Sequence, residues 1–204
     1  MSYQRARRPE QKEERREAIL AAARELAGER PVRDVSLGDI ARHVGLAKSN
    51  LLRYFESRED IFLTLLLREW REWTAEASEQ LGDDVAAALA STLAARALFC
   101  DLLSEQAAVL ERNVSADTVR SFRGATIELV HALAAAIAGA TALTTDDAFE
   151  LLTATLTMTA GLWPLTNPAS HVAEMYAGTD LLQPDFEGRL RRLLATLIAG
   201  FSAR

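Results

Sequence analysis

The chain has 204 residues, 49% of them hydrophobic, with 10 Gly, 5 Pro and a net charge of -6. That length suits one or two domains with a sizeable core, and that composition excludes a disordered chain. A single cysteine, Cys100, excludes an intrachain disulfide and a cysteine-rich metal site. The charge is uneven: +2 over residues 1–60 and -8 over residues 61–204. A basic head on an acidic body suits a localised anionic partner. The chain opens on no apolar leader, and its most apolar run, 129–143, is too short and alanine-rich to span a bilayer. A soluble, cytoplasmic protein without a membrane partner is expected.

Alanine and leucine dominate, so an all-α fold is expected. Residues 1–11 read as a basic N-terminal arm, with Pro9 placed to start a helix that runs to about residue 27. Ser36 with Asp39 reads as a capping box for a helix to about His43. Gly45 makes a turn, and a short helix follows from about 48 to 54. Ser57 with Asp60 opens a long helix to about Gln80. Asp83 and Asp84 suit the start of the next helix. Further helices are expected near 84–95, 97–112, 116–138, 146–162, 170–177 and 185–203, with Pro164 ending the fourth of these. Cys100 reads as a small buried hydrophobe.

Leu37, Ile40, Ala41 and Val44 stand at i, i+3, i+4 and i+7, one apolar stripe. Ala41 is small where two crossed helices meet, and Gly45 sits where the chain must reverse. Leu46 and Leu51 turn back onto the stripe. Two helices joined by a three-to-four-residue turn with Gly form a helix-turn-helix, here about residues 36–55. In that geometry the second helix leads into the major groove with Lys48, Ser49 and Asn50. Lys pairs with guanine, Asn with adenine, and Ser with either. Arg53 lies one turn on, and Tyr54 and Arg58 are spaced to flank the groove at phosphates.

"SLGDIARHVGLAKSNLLRYFESREDIF" resembles the DNA-binding head of the TetR family of bacterial transcriptional regulators. The resemblance covers about residues 12–73 and includes the preceding helix "REAILAAARELAGE". Tyr54-Phe55 matches the family's aromatic pair, and Ser57-Arg58-Glu59 matches the polar step before the long fourth helix. It implies a homodimer on a palindromic double-stranded operator, with Ser36, Lys48, Ser49, Asn50, Arg53, Tyr54 and Arg58 facing DNA. Arg5, Arg7 and Arg8 of the arm either reach a flanking minor groove or form a solvated tail. Two departures stand out. Ala47 replaces the usual Ser or Thr cap, and Leu52 replaces the usual Tyr.

Residues 74–204 resemble the family only in being helical, of suitable length and closed by an apolar helix. The resemblance implies a ligand-binding and dimerisation body. Phe149, Leu152 and Leu156, with Phe186, Leu190, Leu193, Leu194, Leu197, Ile198 and Phe201, would form the dimer interface, or else be buried within the monomer. Phe62, Trp70, Trp73, Phe99, Phe122 and Trp163, with Thr126 and Asn167, would line an apolar ligand cavity, or else simply pack the core. The expected function is a repressor released by a small, largely apolar ligand. The alternative is an activator or a DNA-binding protein without a ligand. An enzyme is disfavoured. His43, His131 and His171 lie on separate helices with no metal-ligand spacing, and no catalytic motif or cofactor signature appears.

Overall fold

A computed structural model describes residues 3–168, 170–175, 177, 179 and 185–203, with side chains from residue 9 on and not at 170 and 171. Among the described residues every regular element is helical. In chain order they are α1 (Tyr3–Glu29), α2 (Leu37–His43), α3 (Lys48–Leu51), α4 (Arg58–Gln80), α5 (Val85–Ala94), α6 (Ala97–Gln106), α7 (Ala116–Ala140), α8 (Thr145–Thr166), α9 (Ser170–Met175) and α10 (Phe186–Ser202). Two short 3-10 turns, Val32–Asp34 and Leu110–Asn113, fill connections.

Local chemistry starts most of these helices. Ser36, Ser57, Asp84, Ser115, Thr144 and Asp185 each accept the backbone N–H three residues ahead. Such a cap contributes about 1 kcal/mol. Ser36 and Asp39 complete a reciprocal box. At α4 the return bond is shifted by one residue: Asp60 accepts the N–H of Glu56, not that of Ser57. α3 is different, because Ala47 stands at its N-cap and supplies no side-chain bond.

Four boundaries depart from expectation. α6 ends at Gln106, short of the expected 112, and a 3-10 turn follows at Leu110–Asn113. α1 begins ahead of Pro9 rather than at it, so the helix includes residues expected in the arm. The second helix of the helix-turn-helix ends at Leu51, and residues 52–54 form turns. α8 runs through Pro164 to Thr166. A proline removes one amide donor from a helix, but Asn167 N–H still bonds the Trp163 carbonyl at 2.9 Å and closes the final turn.

α1, α2 and α3 pack together as the head on the first half of α4. α7 lies along α4 from near its start, where Asp60 and Leu63 line one crevice with Asp117, Thr118 and Phe122, and the second half of α4 packs against α5 and α6. α6 and α7 flank α8, and α10 packs on α5 and α8. Trp70 and Trp73 of α4 meet Phe99 of α6, with ring centroids 5.4–5.8 Å apart. The Trp73 indole also donates to Thr92 Oγ1 at 3.1 Å, which satisfies its only polar atom in the core. By length and composition α7 could cross a bilayer, since the helix extends beyond the run read from sequence. It instead buries Phe122, Thr126, Val130, Leu133 and Ile137 as one stripe, the pattern of a helix packed on a core.

Candidate nucleic-acid interface and its link to the body

The helix-turn-helix is held from within. Ile40, Ala41, Leu51 and Phe55 are buried. Gly45 has φ +66°, the one left-handed backbone among the described residues, and an ordinary side chain there would be strained. Leu46 N–H then donates to the Ala41 carbonyl at 2.8 Å and closes the turn. The outer face is left with Lys48, Ser49, Asn50, Leu52 and Arg53, all exposed. Lys48 lies back across Gly38: a Cβ at position 38 would stand 2.6 Å from Lys48 Cε. The missing side chain of Gly38 thus gives Lys48 its path along α2.

Two arginines fix this face to its surroundings. Arg16 of α1 donates from Nη1 to the Tyr54 carbonyl at 2.5 Å. Its guanidinium lies 4.2 Å from the Phe55 ring centroid, a cation–π contact. Arg58, at the start of α4, donates to the carbonyls of Val32 and Val35, pairs with Glu59 at 3.0 Å and covers the Phe62 ring. It therefore ties the connection between α1 and α2 to α4. Asp39 accepts from Ser36 and pairs with Arg42 and Arg30, and the Ser36 bonds first of all bring its carboxyl down to about 2.

Among the described residues, polar contacts join head to body at three places. Val32 N–H donates to Asp101 Oδ2 of α6 at 2.7 Å. Burial raises the Asp101 carboxyl above the usual range, against that hydrogen bond. Ser115 N–H, at the start of α7, donates to Glu56 Oε1 at 2.8 Å, and this bond lowers the Glu56 pKa. Glu69 of α4 is 3% exposed. It lies between Arg24 of α1 at 2.7 Å and Arg96 of the body at 3.3 Å. A carboxylate so deeply buried needs charged partners, so Glu69 holds head and body to the same helix.

The body offers a groove of about 660 Å³ between α4, α7 and α8, lined by Trp70, Thr126, Val130 and Leu156 among others. A crevice of about 330 Å³ lies nearer the head and includes Phe122. Another, of about 270 Å³, lies between the end of α1 and α6 and includes Trp163 and Asn167.

Two family models account for nearly the whole chain. One described as "Bacterial regulatory proteins, tetR family" matches residues 19–65, and one described as "Tetracyclin repressor-like, C-terminal domain" matches residues 65–204. The chain belongs to the TetR family of bacterial transcriptional regulators. The HTH-type transcriptional regulator EthR of Mycobacterium tuberculosis is 41% identical over 56 residues, 28% of this chain and 26% of EthR. The EthR of Mycobacterium bovis matches equally. The chain thus spans about a quarter of the length of the curated relatives it matches. Two solved structures share the fold. Salmonella enterica GusR has 21% identity and a TM-score of 0.56, covering 90% of this chain and 95% of that one. A transcriptional regulator from Rhodococcus sp. Rha1 has 19% identity and a TM-score of 0.59, covering 91% and 96%.

In this TetR-family chain the residues singled out from sequence fall into distinct groups. Lys48, Ser49, Asn50 and Arg53 share the exposed outer face, and Tyr54 is half-buried beside them. Ser36 is exposed, but its hydroxyl is engaged in the α2 cap. Arg58, expected at a phosphate, turns its guanidinium inward onto the carbonyls of Val32 and Val35. The side chains of Arg5, Arg7 and Arg8 lie outside the described residues. Sequence spacing missed Arg16, Gln11 and Arg15. The last two line a polar groove beside Tyr54, and only the packing of α1 on the turn after α3 brings them there.

The expected cavity residues do not form one site. Phe62, Trp73 and Phe99 are fully buried core. Trp70 and Thr126 share the large groove, while Phe122, and Trp163 with Asn167, line the other two crevices. The proposed interface set also divides. Leu152, Phe186, Leu190 and Leu194 are buried within the monomer, because α10 packs on α5 and α8. Phe149, Leu156, Leu197, Ile198 and Phe201 are partly buried, and Leu193 is exposed.

Proposed function

We propose that the protein is a homodimeric repressor that reads a palindromic operator in the major groove and is released by a small ligand bound in the body. The observation that carries this reading is the bonded path from body to DNA face. Asp101 of α6 holds Val32, Arg58 holds the Val32 and Val35 carbonyls, and Ser36 caps α2 directly after them. A shift of α6 or α4 in the body therefore moves the helix-turn-helix as a unit.

Lys48, Ser49 and Asn50 are the base readers in this proposal, with Arg53 and Tyr54 beside them. Arg15 and Gln11 of α1 extend the contact to the backbone. Two heads of a dimer address half-sites about 34–36 Å apart or a multiple of that. Leu193, Leu197, Ile198 and Phe201 of α10, with Phe149 of α8, supply the pairing surface, while Leu156 lines the groove between α4, α7 and α8. A ligand with a coupling free energy of about 1–3 kcal/mol releases DNA about 5- to 150-fold.

In vitro selection of bound DNA followed by footprinting tests the reading. A palindromic site protected by a dimer supports it. A protected site with no two-fold repeat, or a monomer in native mass spectrometry of the complex, overturns it.

A further inference from the structure

We propose that the groove between α4, α7 and α8 takes an amphipathic acid, a molecule with an apolar body and one carboxylate. The proposal rests on the reading that the body binds a small ligand, and it names the class. The walls Trp70, Val119, Ile127, Val130 and Leu156 are apolar, and about 660 Å³ is the size of an ordinary small-molecule site. Of the polar groups on the lining, the Trp70 indole, Arg120 and Arg123 are donors only, while the Gln106 amide already donates to Glu111 and the Thr126 hydroxyl to the Arg123 carbonyl. No Asp or Glu lines the groove among the described residues. A cationic or purely apolar occupant would leave the guanidinium donors at the rim unused.

Individual groups sharpen the assignment. Trp70 is 4% exposed, and its Nε1 is buried without a hydrogen-bond partner among the described residues. A buried donor left unpaired is unfavourable, and an acceptor carried in by a ligand removes that cost. Glu111, itself nearly buried, takes Nε and Nη2 of Arg123 and so fixes that guanidinium at the groove, with Nη1 left over. Among the described residues Arg120 is paired only with Asp117, and both are largely exposed. Such a pair contributes little, so Arg120 is free to turn to a carboxylate. A carboxylate offers two oxygens, which matches the paired N–H donors of a guanidinium at the rim.

Calorimetric titration of the full-length chain, without DNA, tests this with three probes of equal chain length: sodium decanoate, decanol and decyltrimethylammonium chloride, each below its micelle concentration. Decanoate is expected to bind at least about tenfold more tightly than decanol, and the ammonium probe more weakly still. Arg120→Gln, at an exposed position, and Trp70→Phe should each weaken decanoate about tenfold and leave decanol unchanged. Equal affinity for all three probes, or decanoate affinity unchanged in Arg120→Gln, overturns the proposal. Should Trp70→Phe fold poorly, Arg120→Gln still decides. Decanoate that binds by these criteria yet leaves the operator complex intact supports the site and counts against ligand release. Operator release by the ammonium probe alone overturns the site's chemistry and leaves ligand release standing.

Discussion

Asp101 Oδ2, on α6 of the body, accepts the backbone N–H of Val32 in the head at 2.7 Å. The bond crosses from one unit to the other and costs a partly buried charge. Burial raises the Asp101 pKa from its ordinary 3.8, so the folded state holds this proton more tightly than the unfolded chain does. The sign follows: its contribution is most favourable below pH 3.8 and is lost as pH rises through the folded pKa. Asp101→Asn keeps an acceptor for Val32 and removes the charge. The stability difference between variant and parent should be flat below pH 3.8 and should then grow in the variant's favour with rising pH. Thermal melts across that range check it; a gain confined to low pH would contradict it.

Arg58 and Asn50 should separate stability from recognition. Arg58→Ala leaves the Val35 carbonyl without its side-chain donor and the Val32 carbonyl with only the Val35 N–H, and should lower stability by about 1–3 kcal/mol. Asn50 is exposed on α3. Asn50→Ala should leave the melting temperature unchanged and weaken binding to the selected operator by about 1–3 kcal/mol. Urea titration beside a gel-shift titration distinguishes the two. Unchanged operator affinity and preference in Asn50→Ala would remove it from the reading set.

Gly38→Ala should act on Lys48 alone. The new Cβ meets only the far end of that flexible side chain and the Ser36 hydroxyl at 3.5 Å. Alanine favours the helix by up to about 1 kcal/mol, so stability should be equal or higher. Displacing Lys48 should weaken operator binding several-fold. If Lys48 meets a phosphate, the slope of log affinity on log salt should fall by about 0.9. An unchanged affinity with a higher melting temperature would show that the lysine path along α2 is irrelevant to binding.

α10 should show two kinds of leucine. Leu190 is fully buried within the monomer, whereas Leu193 is 42% exposed. Leu190→Ala should cost about 2–5 kcal/mol of stability. Leu193→Glu should leave the secondary structure intact and convert the dimer to a monomer by native mass spectrometry. A dimer that survives Leu193→Glu paired with Ile198→Glu would place the interface off α10.

The readings that were correct from sequence rest on short-range chemistry. Ser36 and Asp39 are three residues apart, and their box forms wherever that helix starts. Gly45 takes a positive φ because the turn needs it within a few residues. Ala47 leaves α3 uncapped because no hydroxyl is there to donate or accept. Arg58 was legible as a charged residue at a helix start, but not its direction. The carbonyls that capture it lie 23 and 26 positions away. Likewise, the helical stripes of α7 and α10 were legible, but not which neighbour each stripe meets.

The sequence by itself determined that this is an all-helical chain with a helix-turn-helix head, because periodicity, caps and turn glycines act within a few residues. Tertiary structure decided which apolar side chains close the core and which line a groove. It also decided which arginines face outward, and that Asp101 and Glu69 bind head to body. Those outcomes depend on contacts between distant segments, where burial removes solvent from a charge and a single partner sets its direction.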